Sequence, residues 1–177
     1  MPSGRKADSS SKLSDKQLLS MAHAVGVESA RLIDPGTVET GEWVRLKCQF
    51  GCQGFGKCLT CPPNSPTPSQ TRAMLDQYSK GILFEIGQDK SRRVAADLER
   101  QIFLQGYHKA FAMSSGPCDL CDDCGMSQGC RHSALARPAM EACGIDVYAT
   151  VRKHGFAIDV LRGAKDPQHN FALVLVE

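Results

Sequence analysis

Four cysteines fall within thirteen residues, at Cys118, Cys121, Cys124 and Cys130, and the first three have CxxCxxC spacing. An earlier run, Cys48, Cys52, Cys58 and Cys61, brings eight of the nine cysteines into two quartets. Any fold of this chain must place those sulfurs where they are paired or ligating. Gly51, Gly54, Gly56, Pro62, Pro63 and Pro66 interrupt the first quartet, so the stretch 48–66 reads as a ligand loop rather than a continuous helix or strand. An odd cysteine count fits a fully disulfide-paired framework poorly. The first twelve residues are polar and lack the apolar core of a secretory signal. A cytoplasmic location is therefore expected, where thiols stay reduced and clustered cysteines serve as ligands.

Four thiolates suit tetrahedral zinc, and they equally suit the four irons of a cubane. Three features favour iron and sulfur. CxxCxxC is a compact run of the ferredoxin kind, Cys61-Pro62 matches the end of such runs, and neither quartet carries a histidine at finger-like spacing. The expected cofactor is one or two [4Fe-4S] clusters held by Cys48, Cys52, Cys58, Cys61, Cys118, Cys121, Cys124 and Cys130, with exchange of ligands between the quartets open. Electron transfer, or service as an accessory to a larger redox enzyme, follows as the leading function, with a redox protein as partner. Two alternatives stand beside it: zinc that staples two loops into an interaction module, and a reductive enzyme with an open-site cluster. The last predicts one dispensable cysteine and a pocket beside the exposed iron.

Cys143, in Met140-Glu141-Ala142-Cys143-Gly144, reads as a small buried hydrophobe outside the ligand set. Arg131 and His132 follow Cys130 and can donate to cluster sulfurs, hold an anionic partner, or lie exposed. Asp122 and Asp123 are adjacent and point apart, a poor acid and base pair. Nothing identifies a catalytic acid, base or nucleophile.

The rest of the chain supplies a frame. Residues 1–13 read as a mobile polar tail, and 14–177 as one metal-binding domain. Ser14 and Gln17 form a capping box ahead of an apolar stripe at Leu18, Leu19, Ala22 and Val25. Trp43 to Lys47 suits a short strand, with Trp43 as a packing residue. Thr67, Pro68 and Gln70 open another helix, whose buried side is Met74, Leu75 and Tyr78. Residues 81–87 form a strand, 91 to about 105 a helix burying Val94, Leu98 and Ile102 with Phe103 alongside, and 109–113 a second strand, which together make a βαβ unit. Short helices follow from Pro138 and from Asp146, and Phe171 to Glu177 suits a strand buried on both faces. The expected class is α/β: a small mixed sheet with packed helices and two cysteine-rich metal loops gathered at one end.

Composition excludes several functions. Hydrophobic residues make up 42% and charged residues 23%, close to globular averages, and the formal net charge is only +2. No basic stripe with interleaved aromatics is present, so nucleic acid is not an expected partner. No apolar run is long enough to span a bilayer, so a membrane is not expected either. Oligomeric state is not written in the sequence.

Several ordered motifs carry a likeness to a family. Cys48-Gln-Phe-Gly51-Cys52, Cys61-Pro62-Pro63, the CxxCxxC run with Cys130-Arg131, Arg137-Pro138-Ala139-Met140-Glu141-Ala142 and Gly144-Ile145-Asp146-Val147 resemble the small cysteine-rich "predicted metal-binding proteins". These are uncharacterised proteins of anaerobic bacteria and archaea, and the likeness covers about residues 40–177. The resemblance implies a single metal-binding domain with iron–sulfur clusters and no established reaction. It maps the family's cysteine motifs onto the two quartets, leaves Cys143 outside them, and gives the tail before Ser14 no role.

Overall fold

The structure, a computed structural model, describes residues 12–87, 91–163 and 165–177. In chain order it contains α1 (Asp15–Ala24), β1 (Ser29–Ile33), α2 (Glu42–Gly51), α3 (Pro68–Leu75), β2 (Gly81–Ile86), α4 (Ser91–Leu104), β3 (Phe111–Met113), α5 (Val147–Lys153) and β4 (Asn170–Leu175). Helix starts follow local chemistry. Ser14 and Gln17 close a capping box on α1, and Thr67 and Gln70 close another on α3 with Pro68 at the first turn. Asp146 accepts the Ala149 N–H at 3.0 Å to begin α5. Each such cap contributes about 1 kcal/mol.

The sheet has the order β1-β2-β4-β3, and every hydrogen-bonded neighbour is antiparallel. Because β2 and β3 both run against β4, they are parallel to each other with β4 between them. The expected βαβ unit is therefore present in split form, its crossover helix α4 spanning a strand contributed by the far end of the chain. That strand is what local reading of 81–113 could not supply. Residues 171–175 take the central place because they are apolar at both parities: Phe171, Leu173 and Leu175 face one side, Ala172 and Val174 the other. Burying each large side chain contributes about 1.5–3 kcal/mol.

Two apolar layers result. On one face Leu18 and Ala22 of α1 and Ala95, Leu98 and Ile102 of α4 cover Ile82, Phe84 and Val174. On the other, Leu75 of α3 and Val147 and Val151 of α5 join Met140, Cys143 and Ile145 over Leu83 and Leu173. Cys143 is fully buried, as expected of it. The short turn Glu141–Cys143 ends at Gly144, whose φ of +77° and approach to Pro68 leave no room for a Cβ.

Four local expectations are corrected. The short helix expected from Pro138 does not form: Ala139 bridges to Ser114 instead, and only the turn Glu141–Cys143 follows. Trp43 to Lys47 is helical: Val44, Arg45 and Cys48 turn inward at helical spacing, and a five-residue apolar window does not separate helix from strand. Trp43 is 51% exposed rather than packed, and Phe103 is 52% exposed. Strand β1 was not anticipated. The tail reading for residues 1–11 lies outside the described residues, whereas Lys12 pairs with Glu177 and the Leu13 N–H donates to Tyr107 Oη at 2.7 Å. Among the described residues no helix is long and apolar enough to cross a membrane.

Candidate metal centre

Both cysteine segments lie beyond the ends of β2 and β3, where β4 begins, and arginine side chains hold each in place. Helix α2 runs as far as Gly51, so Cys48 belongs to its last turn and the irregular loop starts only at Cys52. One turn earlier, Arg45 donates from Nη1 to Ser65 Oγ, Pro66 O and Ala142 O at 3.1, 3.3 and 3.0 Å, and from Nη2 to Ser65 O at 3.2 Å. One guanidinium thus ties the loop's exit to the turn that precedes Cys143. Thr71 Oγ1 adds a bond to Cys143 O at 2.6 Å.

The second segment has its own clamp. Ser114 bridges to the residues around Ala139, with Ser114 N–H donating to Pro138 O and Met140 N–H to Ser114 O, both at 2.8 Å. Arg92, in the first turn of α4 and only 4% exposed, reaches Ser114 Oγ at 2.9 Å, Gly116 O at 3.2 Å, Pro117 O at 2.8 Å and the Arg137 carbonyl. Its Nε also meets Asp119 Oδ1 at 3.4 Å. At the other end of the same segment Arg137 pairs with both carboxylate oxygens of Glu99 at 2.6 Å, and Glu99 Oε2 accepts the Ala112 N–H at 2.7 Å. Helix α4 therefore grips the second cysteine loop where it begins and where it ends.

These anchors gather the sulfurs differently from their order in the chain. Cys48, Cys52 and Cys61 line a cavity of about 470 Å³, walled mostly by apolar side chains such as Trp43, Val44, Phe55, Ile158 and Phe171. Cys58 stays beside Cys61 and also joins Cys118, Cys121, Cys124 and Cys130 around a space of about 20 Å³. The loops are laced together at the cysteines themselves: Leu59 N–H donates to Cys124 Sγ at 3.4 Å, and the Cys118 backbone donates to Cys61. Gly54 N–H donates to Cys52 Sγ at 3.4 Å, and a Cβ at Gly54 would sit 3.6 and 3.9 Å from the sulfurs of Cys52 and Cys61. Cys52 and Cys130 are exposed, Cys61 is buried, and the other five lie between.

Electrostatics at the sulfurs follows from crowding and burial. Burial pushes the Cys48 and Cys61 thiols up. Cys58 is pushed up to about 11, first by burial and then by the neighbouring Cys61, Cys124 and Cys118. Several thiols whose negative charges oppose one another are the setting in which a bound cation releases protons and reverses the penalty. Cys143 is also pushed up, to about 12, but by burial in the apolar core with no sulfur partner beside it.

The donor set fits a thiophilic metal. All nine cysteines are free thiols, eight of them collect at one end of the sheet, and backbone N–H groups point at their sulfurs. Among the described residues no three His, Cys, Asp or Glu side chains form a compact single-ion group; the sulfurs ring cavities instead. Arg131 donates to Asp123 O within the second loop, and His132 is exposed. Sequence reasoning missed Arg45, Arg92, Glu99 and Arg137. One signal was available: Arg92 stands in the first turn of a helix, where the dipole disfavours a cation, so a compensating set of acceptors was to be expected.

A family model described as "Predicted metal-binding protein" (DUF2284), a family of unknown function, matches residues 31–176. No curated protein and no solved structure matches the chain. With the match spanning nearly all the described fold, the chain belongs to this family of predicted metal-binding proteins.

Proposed function

For a member of that family with this arrangement of sulfurs, we propose that the clustered cysteines hold two iron–sulfur clusters and that the protein carries electrons. When bound, such a cluster takes up and returns single electrons at a potential tuned by hydrogen bonds to sulfur and by exposure. The chain's own contribution is that tuning. Leu59 and Gly54 present N–H groups to Cys124 and Cys52, and the apolar wall beside Cys48 and Cys61 restricts water. The observation that carries the reading is the arrangement of the sulfurs across the two loops, with Cys58 lining the small space of the second run while it stays beside Cys61 of its own. In this reading Cys58 completes the set begun by Cys118, Cys121 and Cys124, in the manner of two-cluster ferredoxins, whose last cysteine serves the other cluster. Cys130, exposed at the outer edge, is then the cysteine without an assigned iron.

A second reading concerns the group of three. Cys48, Cys52 and Cys61 supply one thiolate fewer than a cubane needs, and they face the large apolar cavity. That combination favours reductive chemistry on a small molecule at an open position over electron carriage alone.

Anaerobic purification with iron, zinc and acid-labile sulfide analysis tests the proposal. The expected result is about eight iron and eight sulfide per chain, with about half lost in Cys58→Ser and none lost in Cys130→Ser. About two zinc per chain with no sulfide would replace the cluster reading by a stapled interaction module. Loss of iron in Cys130→Ser but not in Cys58→Ser would overturn the assignment across the loops.

A further inference from the structure

The segment Cys58-Leu59-Thr60-Cys61 touches both sulfur groups. At one end Cys58 lies beside Cys124 and Cys118, and the Leu59 N–H donates to Cys124 Sγ at 3.4 Å. At the other end Cys61 lies beside Cys52, and Cys48 lies near both of them. The Cys61 N–H closes the segment on Cys58 O at 3.1 Å, and the Cys118 backbone crosses back to donate to Cys61. One short turn of backbone therefore connects the sulfurs at the chamber to the closed ring.

Charge is unequal at the two ends of that connection. In the cluster reading Cys58, Cys118, Cys121 and Cys124 bring four thiolates to the closed site, while Cys48, Cys52 and Cys61 bring one negative charge fewer to the chamber site. Hydrogen bonds widen the difference. Cys52 receives the Gly54 N–H, and Cys61 receives the Cys118 backbone and the Thr60 hydroxyl, against the single Leu59 N–H given to Cys124. Fixed charges act in the same direction. The Arg45 guanidinium is felt at Cys48, whereas the second loop carries Asp119, Asp122 and Asp123 against two nearby cations, Arg92 and Arg131. Of the other ionisable groups lining the chamber, Lys47 offsets Asp146, His169 pairs with Glu85, and burial pushes the Glu141 carboxyl up towards its neutral form. Exposure separates the groups little, since each has one exposed cysteine. Fewer negative charges and more donors at sulfur both favour an added electron and raise the potential.

We propose that the two groups form a directional relay, in which one electron passes from the site of the four thiolates through residues 58–61 to the chamber site, where it rests at the higher potential. The relay rests on the two-cluster reading and adds a direction to it. One site is oxidised by one electron and the other is reduced by one; no bond forms and no proton moves. A low-potential one-electron donor restores the first site, and a small electron acceptor admitted to the chamber empties the second. The large cavity thus lies at the end of the path where electrons collect.

Anaerobic potentiometric titration of the full chain with dithionite, read by electron paramagnetic resonance, tests the relay. Two midpoints are expected, with the signals of the fully reduced protein split by each other because residues 58–61 hold the sites side by side. Thr60→Val removes the hydroxyl at Cys61 and keeps the shape of the side chain. It is expected to lower only the upper midpoint, by about tenfold in the reduction equilibrium or about 59 mV for one electron, and Thr60→Ser is expected to restore it. If Thr60→Val loses iron, Asp122→Asn, exposed in the other loop and outside the ligand set, is expected to raise only the lower midpoint, by a smaller amount. A variant that shifts the opposite midpoint or neither, a single midpoint, or two signals without mutual splitting would overturn the relay and leave the clusters in place. A protein without iron and sulfide would sink the cluster reading, and the relay with it.

Discussion

The two sulfur groups use the same side chain in opposite surroundings. Cys48, Cys52 and Cys61 look into about 470 Å³ walled by α2, the Glu141 turn and the start of β4, whereas Cys58, Cys118, Cys121, Cys124 and Cys130 close around about 20 Å³ within loops. The first group borrows its rigidity from the apolar layers of the sheet. The second has almost no apolar support, and Arg92 and the Glu99–Arg137 pair hold it to α4. A roomy chamber with firm walls suits a ligand beside the sulfurs, and a closed ring of sulfurs suits a group that is held and left undisturbed.

The sharpest way to break this comparison is to strip the metal. Anaerobic chelation is expected to abolish hydrogen-exchange protection around the second loop, whose local opening free energy then falls towards zero, while amides of β2 and β4 keep the global value. Equal loss of protection in loop and sheet would show that the loops and the core are one cooperative unit.

Removing the clamp should come next in size. Arg92→Ala leaves Ser114 Oγ and the carbonyls of Gly116, Pro117 and Arg137 without their shared donor, so urea unfolding is expected to show a loss of about 3 kcal/mol. If the proposed clusters are held, iron should fall by about half, from the group of five alone, as that group is the one the clamp positions. A uniform fall from both groups would erase the distinction drawn between them.

A third test asks whether the ninth sulfur belongs to either group. Cys143→Ala is expected to cost about 1 kcal/mol, the loss of a small buried group in the layer under α3 and α5, with iron and sulfide contents unchanged. A loss of metal would move Cys143 into the ligand set.

The smallest effect lies away from both groups, as a control on the core. Burial, with Lys153 and Arg31 nearby, holds the His154 imidazole below its usual pKa, and its Nε2 meets Thr37 Oγ1 at 2.9 Å. The unfolded chain therefore takes up the proton first as pH falls. The contribution is fully present above the unfolded pKa of about 6.5 and is lost as pH drops through the lower folded value. Thermal melts between pH 8 and 5 should show a flatter dependence in His154→Gln than in the parent chain, with metal content the same in both.

How much of this was legible depended on whether the signal was local. The capping boxes at Ser14 and Thr67, the Asp146 cap, the stop at Gly144 and the doubly buried run at 171–175 are written in neighbouring residues, and the structure bears them out. The two cysteine runs were legible for the same reason. Trp43 to Lys47 is helical although five residues satisfy either period, and the bonds of Arg45 and Cys48 to the Glu141 turn lie far along the chain.

By itself the sequence determined that eight thiols would be concentrated in Gly- and Pro-rich segments, that helices and strands would flank them, and that the final apolar segment would be central. Those outcomes follow from capping, backbone restriction and hydrophobic periodicity, which act over a few residues. Only the tertiary structure decided that β4 enters between β2 and β3, that Cys58 meets Cys118 and Cys124 as well as Cys61 of its own run, and that three sulfurs open onto an apolar chamber. These depend on which distant segments share buried surface, and the arginine clamps from α2 and α4 settle it by collecting carbonyls that no local pattern announces.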